Sequence, residues 1–414
     1  MKKIASAGII FIAFISTIIA QSGKVKPGIE VLKDNNFEIL KGKSVGLITN
    51  PTGTDSNLKS TIDILFEAGS LNLVALFGPE HGVRGNVEGG EKIGNYIDSK
   101  TGLPVFSLYG KTRKPTPEML KGIDVLVYDI QDIGARSYTF ISTMGLAMEA
   151  AAENNIEFVV LDRPNPLGGK RIEGNIIEDS LRSFIGKYPI PYVYGLTCGE
   201  LAKFINGEGL LANGIKCKLT VVPMENWKRE MTFKETGLLW IPTSPHIPTW
   251  ETAFYYVATG VLGELRNSLS IGVGYTLPFK TIAAEWIDAE KFARGMNEKA
   301  LEGVIFRPIH YTPYYAFGKG KHLHGIQIHI TDYRKVNLLQ IQFIAMEVLR
   351  KLYPGKNLFE MSTLNQQKAF DKAIGSAYIR KELTKHSSFD KIRDYLNKDQ
   401  EEFRNRAKKY FLYE

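Results

Sequence analysis

The sequence predicts an α/β fold: a Rossmann-like parallel-sheet domain followed by a smaller α/β (α+β) domain, with the working cleft between them. Three observations carry this expectation. Over residues 27–165, short unbroken apolar runs alternate with segments of helical spacing, the pattern of parallel strands covered on both faces. Each of those runs ends in a loop rich in Gly, Pro, Asn, Asp or Arg. Past residue 190 the texture changes, and a Pro-rich stretch flanked by Trp240 and Trp250 leads into a region of mixed helix and strand.

The elements follow in chain order. Lys2 and Lys3 precede an uncharged apolar run over residues 4–20, the layout of a secretory signal peptide cleaved after Ala20. Residues 44–49 read as a buried strand, stopped by Asn50-Pro51-Thr52-Gly53, and residues 61–68 as a helix ending at Gly69. Residues 73–77 form the second strand and 124–129 another, followed by a loop and a helix over 143–154. Residues 158–161 are the next strand, closed by Asp162-Arg163-Pro164; a short helix over 197–207 and a strand over 219–223 complete the set. The expected organisation is therefore a leader (1–20), a Rossmann-like domain (21–230) and a C-terminal α/β domain (231–414), the last including a strand over 325–330.

In open α/β sheets ligands sit beyond the carboxyl ends of the strands. Four loops are thereby singled out: 50–55, 78–91, 129–138 and 162–169. Composition narrows the chemistry further. A formal charge of +8, or +6 without the two leader lysines, suits an envelope protein meeting anionic polymers. No basic run is interleaved with aromatics, so nucleic acid is not an expected partner. Neither G-x-G-x-x-G nor a P-loop is present, which disfavours nucleotides, and no zinc-ligand spacing points to a metal. After the leader, no run is long enough to span a bilayer. Cys198 and Cys217 are either one disulfide or two buried thiols.

The densest loop is Phe77-Gly78-Pro79-Glu80-His81-Gly82-Val83-Arg84-Gly85, with Glu88 and Glu91 following. Glu80, just past a strand end, is placed to become a partly desolvated general acid, with His81 to orient it and Arg84 to grip a carboxylate. Asp129, Asp132, Arg136 and Tyr138 supply two carboxyls, a cation and a phenol within ten residues. Glycoside hydrolysis needs two such acids, so Asp129 and Asp132 are the candidate partners of Glu80. Asp162, Arg163 and Asn165 stand in a loop stiffened by Pro164 and Pro166, suited to holding a ligand. Asn50 and His246 complete the candidate set, the latter in the loop over residues 240–250 that is expected to wall the site. Each residue also has a plain structural reading, as an ion-paired turn, a cap or a packed ring.

These motifs are recognisable. Gly78-Pro79-Glu80-His81-Gly82-Val83-Arg84-Gly85, Tyr128-Asp129-Ile130-Gln131-Asp132-Ile133-Gly134-Ala135-Arg136 and Leu161-Asp162-Arg163-Pro164-Asn165-Pro166 resemble the DUF1343 family, which contains the NamZ-like exo-β-N-acetylmuramidases. Gly195-Leu196-Thr197-Cys198-Gly199-Glu200-Leu201-Ala202 and residues 240–249 extend the resemblance over nearly the whole chain. It implies a glycoside hydrolase that releases non-reducing terminal MurNAc from MurNAc-GlcNAc units without a cofactor, with the catalytic glutamate at Glu80. It also implies that Arg84, Arg136 or Arg163 binds the lactyl carboxylate. The chain departs from the family at Glu264-Leu265-Arg266-Asn267, Gly272-Val273-Gly274-Tyr275 and Ala283-Ala284-Glu285-Trp286, where E-G-T-N, G-R-G-T and G-A-P-W are common. Val273 stands in place of an arginine, with Arg266 as a possible replacement. The expected protein acts on peptidoglycan-derived saccharides in the periplasm or outside the cell. A non-catalytic periplasmic binder of sugar acids is the alternative.

Overall fold

The computed structural model describes residues 23–80, 82–85 and 94–414; the leader over 1–20, His81, Glu88 and Glu91 lie outside them. Ten strands organise the described residues. They are β1 (Ser44–Thr49), β2 (Asn72–Gly78), β3 (Tyr96–Ile97), β4 (Pro104–Ser107), β5 (Val125–Asp129), β6 (Glu157–Leu161), β7 (Leu219–Val222), β8 (Thr281–Ala284), β9 (Val304–Tyr311) and β10 (Leu323–Ile330). The first seven form one sheet in the order β3-β4-β2-β1-β5-β6-β7, in which only β3 runs antiparallel to its neighbour. Without β3 this is the doubly wound Rossmann order, whose direction of winding reverses between β1 and β5.

The apolar runs are continuous because both faces of the sheet are buried. Val45, Leu47, Val125 and Val127 pack into a core on one face. Ile48, Leu126 and Tyr128 point the other way, into a core closed by the helices Phe140–Glu153 and Cys198–Gly207. A strand's alternation therefore sorts residues between two cores rather than between core and water. The helix Cys198–Gly207 begins with a capping box: Thr197 accepts from the Glu200 amide and Glu200 accepts from the Thr197 amide.

The smaller sheet, β8-β10-β9, is antiparallel. One face of it and the helices Glu251–Thr259, Ala289–Asn297 and Leu339–Leu352 enclose the largest apolar core. The end of the chain departs from the expected division at 230/231. Phe403 is buried against Phe204 with ring centroids 5.3 Å apart, and the Tyr413 hydroxyl donates to Asp162 at 2.6 Å. Residues 400–414 thus return to the first domain; alternating acids and bases hide the two or three apolar residues that dock. Cys198 and Cys217 are free, buried thiols, and burial pushes Cys217 up to about 12. Among the described residues no helix is long and apolar enough to cross a membrane.

Candidate active site

The reversal between β1 and β5 opens a crevice beyond the strand ends, and the four candidate loops meet there. Gly85 has φ +79°, and a Cβ on it would lie 2.6 Å from Pro51 Cγ, so the loop after β2 rests on the loop after β1. Gly134, at φ +79°, leaves 2.4 Å between its would-be Cβ and Asn165 Oδ1, which brings the loops after β5 and β6 equally close. The Gln131 amide donates to Thr52 Oγ1 at 2.9 Å, and its side-chain nitrogen donates to the Pro164 carbonyl at 2.7 Å. Asn50 belongs to this stitching. Its Oδ1 accepts from the Thr52 amide and hydroxyl, and its buried Nδ2 has no hydrogen-bond partner among the described residues.

Glu80 stands half-buried at the end of β2, where the Tyr109 hydroxyl donates to its carboxylate. Tyr138, from the β5 loop, lies within electrostatic range of both Glu80 and Asp132, and burial raises its phenol well above the ordinary value. Its hydroxyl donates to Thr243 Oγ1 at 2.8 Å, so the Pro-rich loop does reach this side of the crevice. Asp132 accepts from Tyr194 and, at 2.7 Å, from the Gly134 amide, while its buried Oδ1 has no partner among the described residues. Burial pushes this carboxyl up from 3.8 to about 6. Glu80, Tyr138 and Asp132 are therefore the sequence candidates that the fold brings together.

The other candidates are engaged elsewhere. Asp129 is wholly buried and takes two bonds from Arg163, at 2.5 and 2.9 Å, and one from Thr61 at 2.5 Å. Both of its oxygens are spent, which corrects its reading as a catalytic partner of Glu80. Arg163 has a further bond to the Thr54 carbonyl at 2.7 Å and lines a pocket with Thr52, Gln131 and Trp240. Arg84 is held by Asp98 at 2.6 and 2.9 Å, and its guanidinium keeps Asp98 at about 2. Arg136 is fully buried, with four carbonyls as acceptors: Asn175 and Ile190 at 2.8 Å, Ile374 at 2.6 Å and Ala373 at 3.3 Å. It clamps the two domains together instead of facing a ligand. Loop position marks an arginine as near the cleft but does not reveal its partners.

Asp162 is a buried hub, accepting from Thr197, Gly199 and Tyr413, and burial raises it to about 6. Asn165 accepts from the Leu167 amide and donates to the Leu196 carbonyl at 2.9 Å. Both fix the loop after β6 rather than offering it to a ligand. His246 shares a 2.8 Å hydrogen bond with Tyr315 and stacks on its ring. Trp250 packs against Phe254 and Tyr333, while Trp240 stands against Phe233 and lines a pocket with Thr52, Gln131 and Arg163 at the strand-end loops. Val273 packs against the C-terminal core, and Arg266, mostly exposed, lies 3.6 Å from Glu264. Sequence reasoning missed Tyr109, whose only signal is its place at the end of the short strand β4. It also passed over Glu264, whose carboxyl is raised by burial and lies near Tyr192 and Tyr256. No His, Cys, Asp and Glu grouping among the described residues could hold a metal.

Two carboxyls, Glu80 and Asp132, and the phenols of Tyr109 and Tyr138 are thus the groups this end of the sheet offers for proton-transfer chemistry. Comparison with known proteins gives the site a family. Residues 45–251 match the model of the N-terminal domain of the exo-β-N-acetylmuramidase NamZ, and residues 254–413 that of its C-terminal domain. The chain is 45% identical over 394 residues to the peptidoglycan β-N-acetylmuramidase NamZ of Bacillus subtilis (strain 168), covering 95% of this chain and 92% of that protein. Two crystal structures of DUF1343 family proteins from Bacteroides fragilis are similar in fold. One is 57% identical with a TM-score of 0.91, covering 94% of this chain and 99% of that one. The other is 31% identical with a TM-score of 0.75, covering 95% and 99%.

Proposed function

The chain belongs to the exo-β-N-acetylmuramidase NamZ family, and from that premise we propose that it releases MurNAc from the non-reducing ends of peptidoglycan fragments. The observation that carries the reading is the meeting of Glu80, Tyr138 and Asp132 beyond the ends of β2 and β5. Glu80, hydrogen-bonded by Tyr109, is the general acid that protonates the glycosidic oxygen. Asp132, within electrostatic range of Tyr138, supplies the negative charge that favours an oxocarbenium-like transition state. Asp129 and Arg163, locked to each other, set the shape of the crevice. The chemistry uses side chains alone.

The family match favours the hydrolase reading over a sugar-acid binder without turnover. The hydrolase reading includes export, since the substrate is an envelope polymer and the chain opens with Lys2, Lys3 and an apolar run over residues 4–20.

Digestion of purified MurNAc-terminated glycan strands tests the exo mode. Free MurNAc accumulating from the first time point, without internal fragments, is the expected result. A ladder of intermediate oligosaccharides would mean endo-cleavage and overturn the reading.

A further inference from the structure

A separate cavity, of ≈ 590 Å³, opens on the flank of the helix Phe140–Glu153, within the range of about 300–1,000 Å³ usual for ligand pockets. Three cations line it: Arg113, Arg182 and Lys187. Arg113 belongs to the same loop as Tyr109, which donates to Glu80, and its charge reaches the Tyr109 phenol. Its guanidinium lies over the Phe184 ring, 4.2 Å from the centroid, which holds an exposed side chain at the rim. The floor is apolar, with Leu146 and Leu211. Leu146 lies six residues into the helix Phe140–Glu153, about 9 Å along its axis from the end nearest Tyr138.

The charge balance favours an anion. The one acid in the lining is Glu149, which is buried and already bound by Lys187 at 3.2 Å and by the Ala212 amide at 3.1 Å. Arg182 is paired only with Asp179, a largely exposed partner that solvent screens. Arg113 makes no ion pair among the described residues. Ser183 Oγ, on another lining residue, is buried without a hydrogen-bond partner among the described residues. A cation propped on an aromatic ring, with a second cation beside it above an apolar floor, matches a sugar ring that carries a carboxylate.

We propose that this cavity is a distal subsite for the second MurNAc of a glycan strand, two sugars beyond the bond that is cut, with Arg113 and Arg182 binding its lactyl carboxylate. The proposal rests on the function proposed above and adds a substrate preference: strands of four or more sugars over the disaccharide. A terminal MurNAc at the Glu80 site places GlcNAc next and the second MurNAc beyond it, on the side where the Tyr109 loop leads to Arg113. A disaccharide ends before the subsite and gains nothing from it.

The test compares kcat/KM for MurNAc-GlcNAc-MurNAc-GlcNAc and for MurNAc-GlcNAc in the parent and in the double variant Arg113→Gln/Arg182→Gln. Both arginines are exposed at the rim, so the variant is expected to fold. In the parent, the tetrasaccharide should be favoured about tenfold, the scale of two charge-assisted contacts, and the preference should shrink with salt. In the double variant the ratio should fall to about 1–2, the tetrasaccharide losing about tenfold more than the disaccharide. An equal loss on both substrates would show that the arginines serve the terminal MurNAc, and an unchanged ratio that the cavity binds no strand; either overturns the proposal. If the parent cleaves neither substrate, the proposed function fails by itself. Calorimetric binding of the tetrasaccharide, weakened about tenfold in the double variant, would still support the subsite, and equal binding would refute it.

Discussion

Replacing Arg136 by Met removes a guanidinium that joins the domains, and the structure permits an estimate of the loss. Three of its bonds are shorter than 3 Å, to Asn175, Ile190 and Ile374. Bonds to a charged group are worth about 1.5–3 kcal/mol each, or about 5–9 kcal/mol for the three. Against this stands desolvation, which lowers the guanidinium from 12.5 to about 10 and withdraws about 3 kcal/mol. Arg136→Met should therefore lose about 2–6 kcal/mol, and part of that falls on the C-terminal end of the helix Leu364–Ile374, whose last carbonyls it caps. Urea denaturation followed by circular dichroism measures the loss, and kinetics on MurNAc-GlcNAc below the transition measure the site. The reasoning predicts a large fall in stability with KM within about twofold of the parent. A stability change under about 1 kcal/mol, accompanied by a tenfold rise in KM, would refute it and return Arg136 to carboxylate binding.

Three further outcomes follow from the same geometry. Asp132 is raised from 3.8 to about 6 in the folded chain, so its protonated form contributes stability that is present below about pH 4 and lost as pH rises through about 6, about 3 kcal/mol in all. Asp132→Asn abolishes that titration. Its stability relative to the parent should improve by up to about 3 kcal/mol between pH 4 and pH 7.5, and a pH-independent difference would contradict the assignment. Asp129→Asn leaves Arg163 buried without its charge partner, so a loss of about 3–5 kcal/mol is expected, read by thermal melting. Lost turnover at unchanged melting temperature would instead put Asp129 in the chemistry. Tyr109→Phe removes a hydrogen bond to the proposed acid, and steady-state kinetics should show kcat about tenfold lower with KM little changed. A change in KM alone would make Tyr109 a binding residue.

The strands that the sequence made legible are those buried on both faces. Residues 44–49 coincide with β1, and the runs at 73–77, 124–129, 158–161 and 219–223 fall within a residue of β2, β5, β6 and β7. β4 escaped because four residues beginning with Pro104 carry too little pattern, and Tyr109 at its exit escaped with it. The four loops could be named because chain direction and burial fix which strand ends face the crevice. What could not be read was the pairing inside them. Asp129 and Asp132 stand three residues apart in the same kind of loop, yet one is closed by Arg163 and Thr61 and the other retains an oxygen with no partner among the described residues. That difference is made by residues 34 and 68 positions from Asp129, beyond any local spacing rule. The return of residues 400–414 to the first domain was hidden for the same reason, since Phe403 and Tyr413 acquire meaning only beside Phe204 and Asp162.

The central claim is that Glu80 delivers the proton that breaks the glycosidic bond. It is tested most directly by single-turnover release of MurNAc from MurNAc-GlcNAc by the parent and by Glu80→Gln, with binding of the disaccharide measured on the same preparations. The account predicts release by the parent, a loss of at least about a hundredfold in the variant, and affinities within a few-fold of each other. Release by the variant at the parent's rate would contradict it, and so would binding without turnover by both.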